Sequence, residues 1–518
     1  MRSLTKTAGL CAASTLCALL AGAPARAFAA PQDEGAGGEE GAASEEAAES
    51  EEADEKENHY FAVIGGDVYT GTGEVLRGAT VLAKNGRITA VGYDVELPGI
   101  DYFADVPKEE RKFDLETLDA AGLRVYPGIV AISSSSLLGT SSDFEDATDP
   151  FSQNLVLGLA TGITSTGSSR SAVKLKRYVS HDPPRPFDFK EVVLRETTYA
   201  TMSWSTSNPS SKRSLREKLE AASKYLRKYR QWETDVKKDK ELKEPSKKGV
   251  DSSVLSVLKG EVFARFNADG REDLLGIALL AQEFGFRPII DGCREGWTVA
   301  DELGRAGAMA IVTPRSRRDK DERLVRPGGS SIENASLLHA AGVPVAIAAQ
   351  SGGINLGGIV GRDIMHLPVE VGFAVRGGLP EGAALDALWR TPARMMGIGH
   401  RVGSLEVGKD CDLIVTDGDI LHYQTFVQYT VVDGELVYDK EQELFFAHIR
   451  PRPASELAPE TKVDAGENPP AEDPAVEGEE GDEGEGEEGD EGEGEGGDGE
   501  DEGGDGDDGG EGGDGDGR

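Results

Sequence analysis

Between about Tyr60 and Phe446 the chain alternates short apolar runs with amphipathic stretches, a rhythm that parallel α/β folds use and few others can. Val262–Ala268, Pro288–Asp291 and Val343–Ala348 read as strands, while Asp273–Glu283 and Thr298–Arg305 read as helices, and Glu381–Trp389 begins the last one. Ser214–Lys237 is a charged helix with Leu215, Leu219, Tyr225 and Leu226 on one face, which fits an insertion packed on the rim of a larger body. Its lysines and arginines are interspersed with glutamates, so it reads as a solvated face and not as a nucleic-acid surface.

The flanks of this region change period. Tyr60–Val68, Ala79–Lys84 and Arg87–Val91 alternate apolar and polar residues around turns such as Asn85-Gly86, and Asp412–Thr416 and Gln428–Tyr438 do the same around Asp433-Gly434. They predict a small β module. Beyond Tyr60 and Phe446 on either side the composition cannot support a core. The formal net charge is -39, but most of it sits in residues 31–58 and 451–518, which are built largely of Glu, Asp, Gly and Ala. Such segments cannot bury enough apolar surface to offset chain entropy, so disordered acidic tails are expected there. The tail's aspartates lack the spacing of an EF-hand loop, which leaves only weak association with divalent cations. Residues 1–30 have basic Arg2 and Lys6, an apolar run from Ala8 to Ala23 and small-x-small sites at Ala25–Ala29, the pattern of an export signal. Periplasmic or extracellular residence follows as an expectation, with no transmembrane segment. Removal of that leader takes Cys11 and Cys17 with it, and Cys293 and Cys411 are too few and too far apart for a disulfide framework.

Two motifs bracket the alternating region. Asp119-Ala120-Ala121-Gly122-Leu123, Val125 and Pro127-Gly128 resemble the entry into the first barrel strand of the amidohydrolase superfamily, and the segment from Val402-Gly403-Ser404-Leu405 through Lys409-Asp410-Cys411-Asp412-Leu413-Ile414-Val415 resembles that family's return to its small β domain. Ala160–Thr166 resembles its second strand, and Thr391-Pro392-Ala393 the end of its last barrel helix. An imidazolonepropionase-like or related amidohydrolase is the nearest description. The resemblance implies a (β/α)8 TIM-type barrel at residues 127–397 and a small β-sandwich module composed of 59–126 and 398–446.

The resemblance also implies a zinc or other divalent ion, held by two histidines after strand one, one each after strands five and six, and an aspartate after strand eight. Such an ion lowers the pKa of bound water and polarises a carbonyl. Here those positions fall on Ser133, Ser135, Asn267, Gly292 and Gln350, with serines running from Ser133 to Ser136 where the metal ligands would stand. Neutral hydroxyls and amides are poor zinc ligands, so no metal is expected. Other residues that could line a rebuilt pocket are Arg265, Asp269, Glu295, Asn355, Asp363 and His366, and no G-x-S-x-G elbow marks a serine nucleophile. Three readings follow: a non-catalytic small-molecule binding or scaffolding protein; a hydrolase of non-peptide carbon–nitrogen bonds by a metal-independent or relocated-metal route; and a protein that meets cation-rich surfaces through its acidic tail. Assembly into a homo-oligomer stays open.

Overall fold

The computed structural model describes residues 58–98, 114–135, 137–138, 149–168, 170–179, 189–240, 242–355 and 361–443. The expected leader, the tail and all but the last residue of the acidic spacer lie outside them. The strands are β1 (His59–Tyr69), β2 (Val75–Lys84), β3 (Arg87–Gly92), β4 (Asp114–Asp119), β5 (Arg124–Pro127), β6 (Ile129–Ser134), β7 (Ile163–Ser168), β8 (Ser171–Lys174), β9 (Val193–Arg195), β10 (Tyr199–Met202), β11 (Phe263–Ala268), β12 (Pro288–Gly292), β13 (Met309–Val312), β14 (Val345–Ile347), β15 (Leu413–Thr416), β16 (Val427–Val432) and β17 (Glu435–Asp439). The helices are α1 (Gln153–Ala160), α2 (Phe189–Val192), α3 (Pro209–Asp235), α4 (Ser252–Lys259), α5 (Arg271–Phe284), α6 (Ala300–Arg305), α7 (Asn334–Ala340), α8 (Leu367–Arg376), α9 (Glu381–Asp386) and α10 (Arg390–Met395).

These strands form a mixed α/β fold. Strands from both ends of the region join in one eight-stranded sheet, in the order β17-β16-β15-β5-β1-β2-β3 with β4 also on β1. The two predicted hairpin turns are there, with Asn85 and Gly86 at φ 49° and 79° and Asp433 and Gly434 at 53° and 70°, the left-handed pair that a tight type I′ turn requires. The middle of the chain supplies a parallel five-stranded sheet, β10-β11-β12-β13-β14, and a four-stranded sheet, β6-β7-β8-β9. In the latter β6 and β7 are parallel, but β8 returns antiparallel to β7 and β9 antiparallel to β8. The expected uniform series of parallel strands is therefore interrupted after its second member by a hairpin.

The expected entry into the first barrel strand, at Val125 and Pro127-Gly128, divides into two strands. Arg124–Pro127 pairs with β15 and β1 in the eight-stranded sheet, and Ile129–Ser134 pairs with β7. Gly128 is the crossing point: its N–H donates to the Asp412 carbonyl at 2.9 Å, and a Cβ there would lie 2.1 Å from Thr164 Oγ1. Only glycine lets the chain pass so close to β7.

A buried ionic cluster fastens the same junction. Lys174, at the end of β8, has no solvent exposure and extends its ammonium to Asp410 Oδ2 (2.8 Å), Asp412 Oδ1 (3.0 Å) and Asp433. Arg401 adds a second cation on Asp410 at 2.8 Å. Burial would discharge the lysine, but the three carboxylates outweigh it and hold the ammonium above its usual range. Asp410 is also buried, yet Lys174 and Arg401 keep its carboxyl below the usual range. Asp412 differs. Burial is its largest influence and lifts it from 3.8 to about 6, and its Oδ2 has no hydrogen-bond donor.

Cys293 and Cys411 are both free thiols in the interior, and burial pushes the Cys293 thiol up to about 12. Among the described residues no helix is long and apolar enough to cross a membrane.

Removing the lysine leaves three carboxylates facing one another, so Lys174→Met is expected to lose about 3–5 kcal/mol of stability in urea unfolding. Asp412 has a folded value above its unfolded one, so its contribution is complete below about pH 4 and disappears as pH rises through about 6. Asp412→Asn should abolish that part of the decline in a pH series of urea midpoints; an unchanged slope between pH 4 and 6 would refute the assignment.

Candidate functional site

Alternation along β11 buries Ala264, Phe266 and Ala268 and turns Arg265 and Asn267 to the other face. In register, Arg265 lies between Thr201 of β10 and Ile289 of β12, and Asn267 lies opposite Asp291. Arg265 reaches diagonally to Asp291 at 2.5 Å, donates to the Tyr199 hydroxyl, and sits over the Tyr199 ring at 4.6 Å. Its guanidinium is held above its ordinary range by Asp291 and Tyr199, against burial as the largest single influence. Asn267 is exposed beside this pair. Asp291 and Tyr199 were not singled out in the sequence; the available signal was an Arg and an Asn at i and i+2 of one strand with an Asp on the next.

Strand β12 ends in two left-handed residues, Gly292 (φ 94°) and Cys293 (φ 48°). A Cβ on Gly292 would lie 2.4 Å from Asp269 Oδ1, so the backbone at the expected strand-six ligand position accommodates no side chain as it stands. Cys293 N–H donates to the Ala268 carbonyl at 2.9 Å, and its own carbonyl accepts from Asn334 Nδ2 at 2.9 Å.

Asp269 and Glu295 act in the scaffold. Asp269 pairs with Arg294, whose Nε donates to Ser316 Oγ at 2.7 Å. Glu295 accepts from the Arg271 N–H at the start of α5 (2.9 Å) and the Gly329 N–H (2.8 Å), and forms an ion pair with Arg318 Nε at 3.3 Å. Burial raises its carboxyl, but those donors outweigh it and leave it below the usual range. Gly270, the residue before α5, offers no capping side chain, so Glu295 supplies the missing acceptor across the loop. A parallel clamp, Arg315 with the fully buried Glu370, ties the end of β13 to α8 through N–H and Nε bonds of 2.8 and 2.7 Å. A separation of 55 positions puts that pair beyond any local sequence signal.

The remaining predicted residues gather at the ends of β6 and β14. Ser135 N–H donates to the Gly352 carbonyl at 2.9 Å, Ser351 N–H to Arg362, and Ile364 N–H to Gly353, so the 351–353 segment lies between the serine strand and Asp363. Asp363 is buried, accepts from the Asn355 N–H at 3.2 Å, and meets His366 Nδ1 at 2.7 Å. Ser133 is half-buried, and Ser135 and Gln350 are exposed.

The donor set does not fit the divalent ion that the resemblance implies. Ser133, Ser135, Asn267 and Gln350 offer only neutral oxygens or amides, and Gly292 offers no side chain. Among the described residues no group of three or more His, Cys, Asp and Glu side chains is arranged to hold a metal.

Fold and segment comparisons define the class. Residues 301–438 match the model of the Amidohydrolase family, a stretch that contains the Val402–Val415 motif. The solved amidohydrolase from Thermotoga maritima MSB8 superimposes with a TM-score of 0.54 at 21% identity, covering 73% of this chain and all of that one. Amidohydrolase tasK of Hapsidospora irregularis is 30% identical over 95 residues, which is 18% of this chain and only 10% of that protein. A putative prolidase from Bifidobacterium longum aligns more loosely, with 16% identity, a TM-score of 0.43, and coverage of 73% and 95%. The protein is thus an α/β protein of amidohydrolase-like fold. The family match at 301–438 takes in the second of the two bracketing motifs, the one from Val402 to Val415.

Restoring the expected histidine at 292 must displace Asp269 and hold a β-carbon at φ 94°. Gly292→His is therefore expected to cost about 1–3 kcal/mol, read from its urea midpoint, and to leave the chain unable to retain zinc through dialysis.

Proposed function

We propose that this chain is an exported, amidohydrolase-fold binding protein that holds a small neutral or anionic molecule at the C-terminal ends of its parallel strands and carries no hydrolytic metal centre. In this reading the parallel strands belong to a (β/α)8-type barrel, with β6, β11, β12 and β14 at the positions of strands one, five, six and eight. The C-terminal ends of such strands are where barrel proteins place their sites.

The observation that carries the reading is Arg265. Its guanidinium stands on the face where Asn267 and Asp291 oppose each other, so fixed positive charge already occupies the neighbourhood in which the resemblance would place a cation. A second cation there would meet that guanidinium, and the one carboxylate beside it, Asp291, is already paired with Arg265. An anionic or amide-bearing ligand would instead meet an arginine oriented by Tyr199 and Asp291, with the Asn267 amide beside it. The export part rests on the basic and apolar pattern of residues 1–30.

A second reading, metal-independent hydrolysis, draws on the Asp363–His366 pair. A carboxylate that fixes Nδ1 of an imidazole leaves Nε2 to act as a base, as in nucleophile–base–orienter arrangements. That reading expects chelator-resistant cleavage of an amide probe that is lost in both His366→Gln and Ser135→Ala.

Elemental analysis of the full chain decides between metal-bound and metal-free chemistry. After exposure to zinc and manganese, dialysis in roughly 0.5 M salt would strip ions held loosely by the acidic tail. Retention of less than about a tenth of an equivalent is expected, because structural or catalytic zinc sites hold their ion far more tightly than such washing can overcome. A stoichiometric, retained metal would overturn the binding-protein reading.

A further inference from the structure

A cavity of about 320 Å³ opens beside the C-terminal end of β10, between the first three turns of α3 and the start of α4, and none of Arg265, Tyr199 and Asp291 lines it. The volume falls at the lower end of small-molecule sites, about 300–1,000 Å³. Its apolar lining is Met202, Leu215 and Val254, all buried. The rest is hydroxyls and a single ion pair, Lys218 with Asp251 at 3.0 Å.

Two helix starts, a lysine and several serines suggest an anion site at first sight, but their donors are already engaged. Asp251 Oδ1 accepts the Ser253 and Val254 N–H groups at 3.0 and 3.2 Å, and its other oxygen neutralises Lys218. Asn208 Oδ1 accepts the Ser211 N–H at 3.2 Å, and the Ser211 hydroxyl donates to the Ser203 carbonyl at 3.3 Å. An incoming anion would have to compete with Asp251 for the only lysine. What stays open is neutral. Among the described residues the hydroxyls of Thr201, Ser214 and Ser253 make no hydrogen bond to protein. Each can both donate and accept, and they stand around apolar side chains that can cover a C–H face.

From this accounting we infer that the cavity is a binding site for a small, uncharged, polyhydroxylated molecule of monosaccharide size. Hydroxyls of the ligand pair with Thr201, Ser214 and Ser253, and its C–H face lies on Met202, Leu215 and Val254. The Lys218–Asp251 pair holds α3 to the start of α4 and keeps the walls apart. This inference is independent of the metal question and of the Arg265 group.

The test is ligand-observed NMR on the full chain with xylose, glucose and glycerol as neutral probes and inorganic phosphate and glycine as charged ones. At least one neutral probe is expected to bind, and neither phosphate nor glycine to displace it. The double variant Ser214→Ala/Ser253→Ala should weaken that binding about tenfold, the loss of two neutral hydrogen bonds, with an unchanged melting temperature. Thr201→Val, a change of one hydroxyl for one methyl on β10, should weaken it roughly threefold and serves if the double variant is poorly folded. Binding of phosphate or glycine without the neutral probes would overturn the inference, as would no binding of any neutral probe, or neutral binding untouched by these variants.

Discussion

A lysine with no solvent exposure is the constraint on which the junction of this fold depends. Lys174 ends the β7–β8 hairpin of the four-stranded sheet, yet its counter-charges come from elsewhere: Asp410 and Asp412 precede β15, and Asp433 forms the β16–β17 turn. An isolated ammonium could not remain buried, so the hairpin and the eight-stranded sheet can be built only together. The cluster closes on itself through the backbone as well, since Asp433 N–H donates to Asp412 Oδ1 at 2.9 Å and the Asp412 carbonyl accepts from Gly128. One short segment, 410–412, thereby fixes the crossing of the chain from β5 to β6, and with it the position of the serine-bearing strand end.

That coupling explains the interrupted order of parallel strands. A third parallel strand directly after β7 would place an ordinary apolar residue where Lys174 stands. The antiparallel return of β8 instead carries the lysine back beneath the β module, where three carboxylates await it. The Tyr69–Tyr126 stack at 4.4 Å and the Tyr126–Trp389 contact at 5.9 Å fill the apolar side of the same seam.

The sequence made the layer pattern legible because periodicity and turn chemistry are local. Asn85-Gly86 and Asp433-Gly434 specify left-handed pairs, and β11, α5, β12, α6 and β14 follow apolar spacing closely enough to be read within a few residues, whereas the expected last helix from Glu381 to Thr391-Pro392-Ala393 is two, α9 and α10. The β8–β9 hairpin was not legible: its strands are four and three residues long and their identity depends on partners hundreds of positions away. Of the site, Arg265 emerged as a candidate because it lies on the predicted strand Val262–Ala268, two residues before the expected ligand position Asn267. Its partners did not, since Asp291 and Tyr199 become neighbours only once the β10–β11–β12 register is set. Asp269 and Glu295 looked like pocket residues for the same reason that they make good clamps: carboxylates in loops after strands accept N–H groups from whatever approaches.

The strand ends reveal a common electrostatic solution. Four acidic residues there have an arginine, Asp291 with Arg265, Asp269 with Arg294, Glu295 with Arg318 and Glu370 with Arg315, while Asp363 meets His366. A divalent ion would need carboxylates or imidazoles whose charge is left for it, whereas here the guanidinium groups take up that charge and distribute it over planar forks of hydrogen bonds. The replacement also changes what positions the loops. Glu295 caps α5 and pins Gly329, and Glu370 pins the end of β13, so the rim is held by protein–protein ion pairs that persist whether or not a ligand is bound. A rim fixed in this way is preorganised for recognition, because the ordering cost of its loops has been met in folding and does not recur on binding.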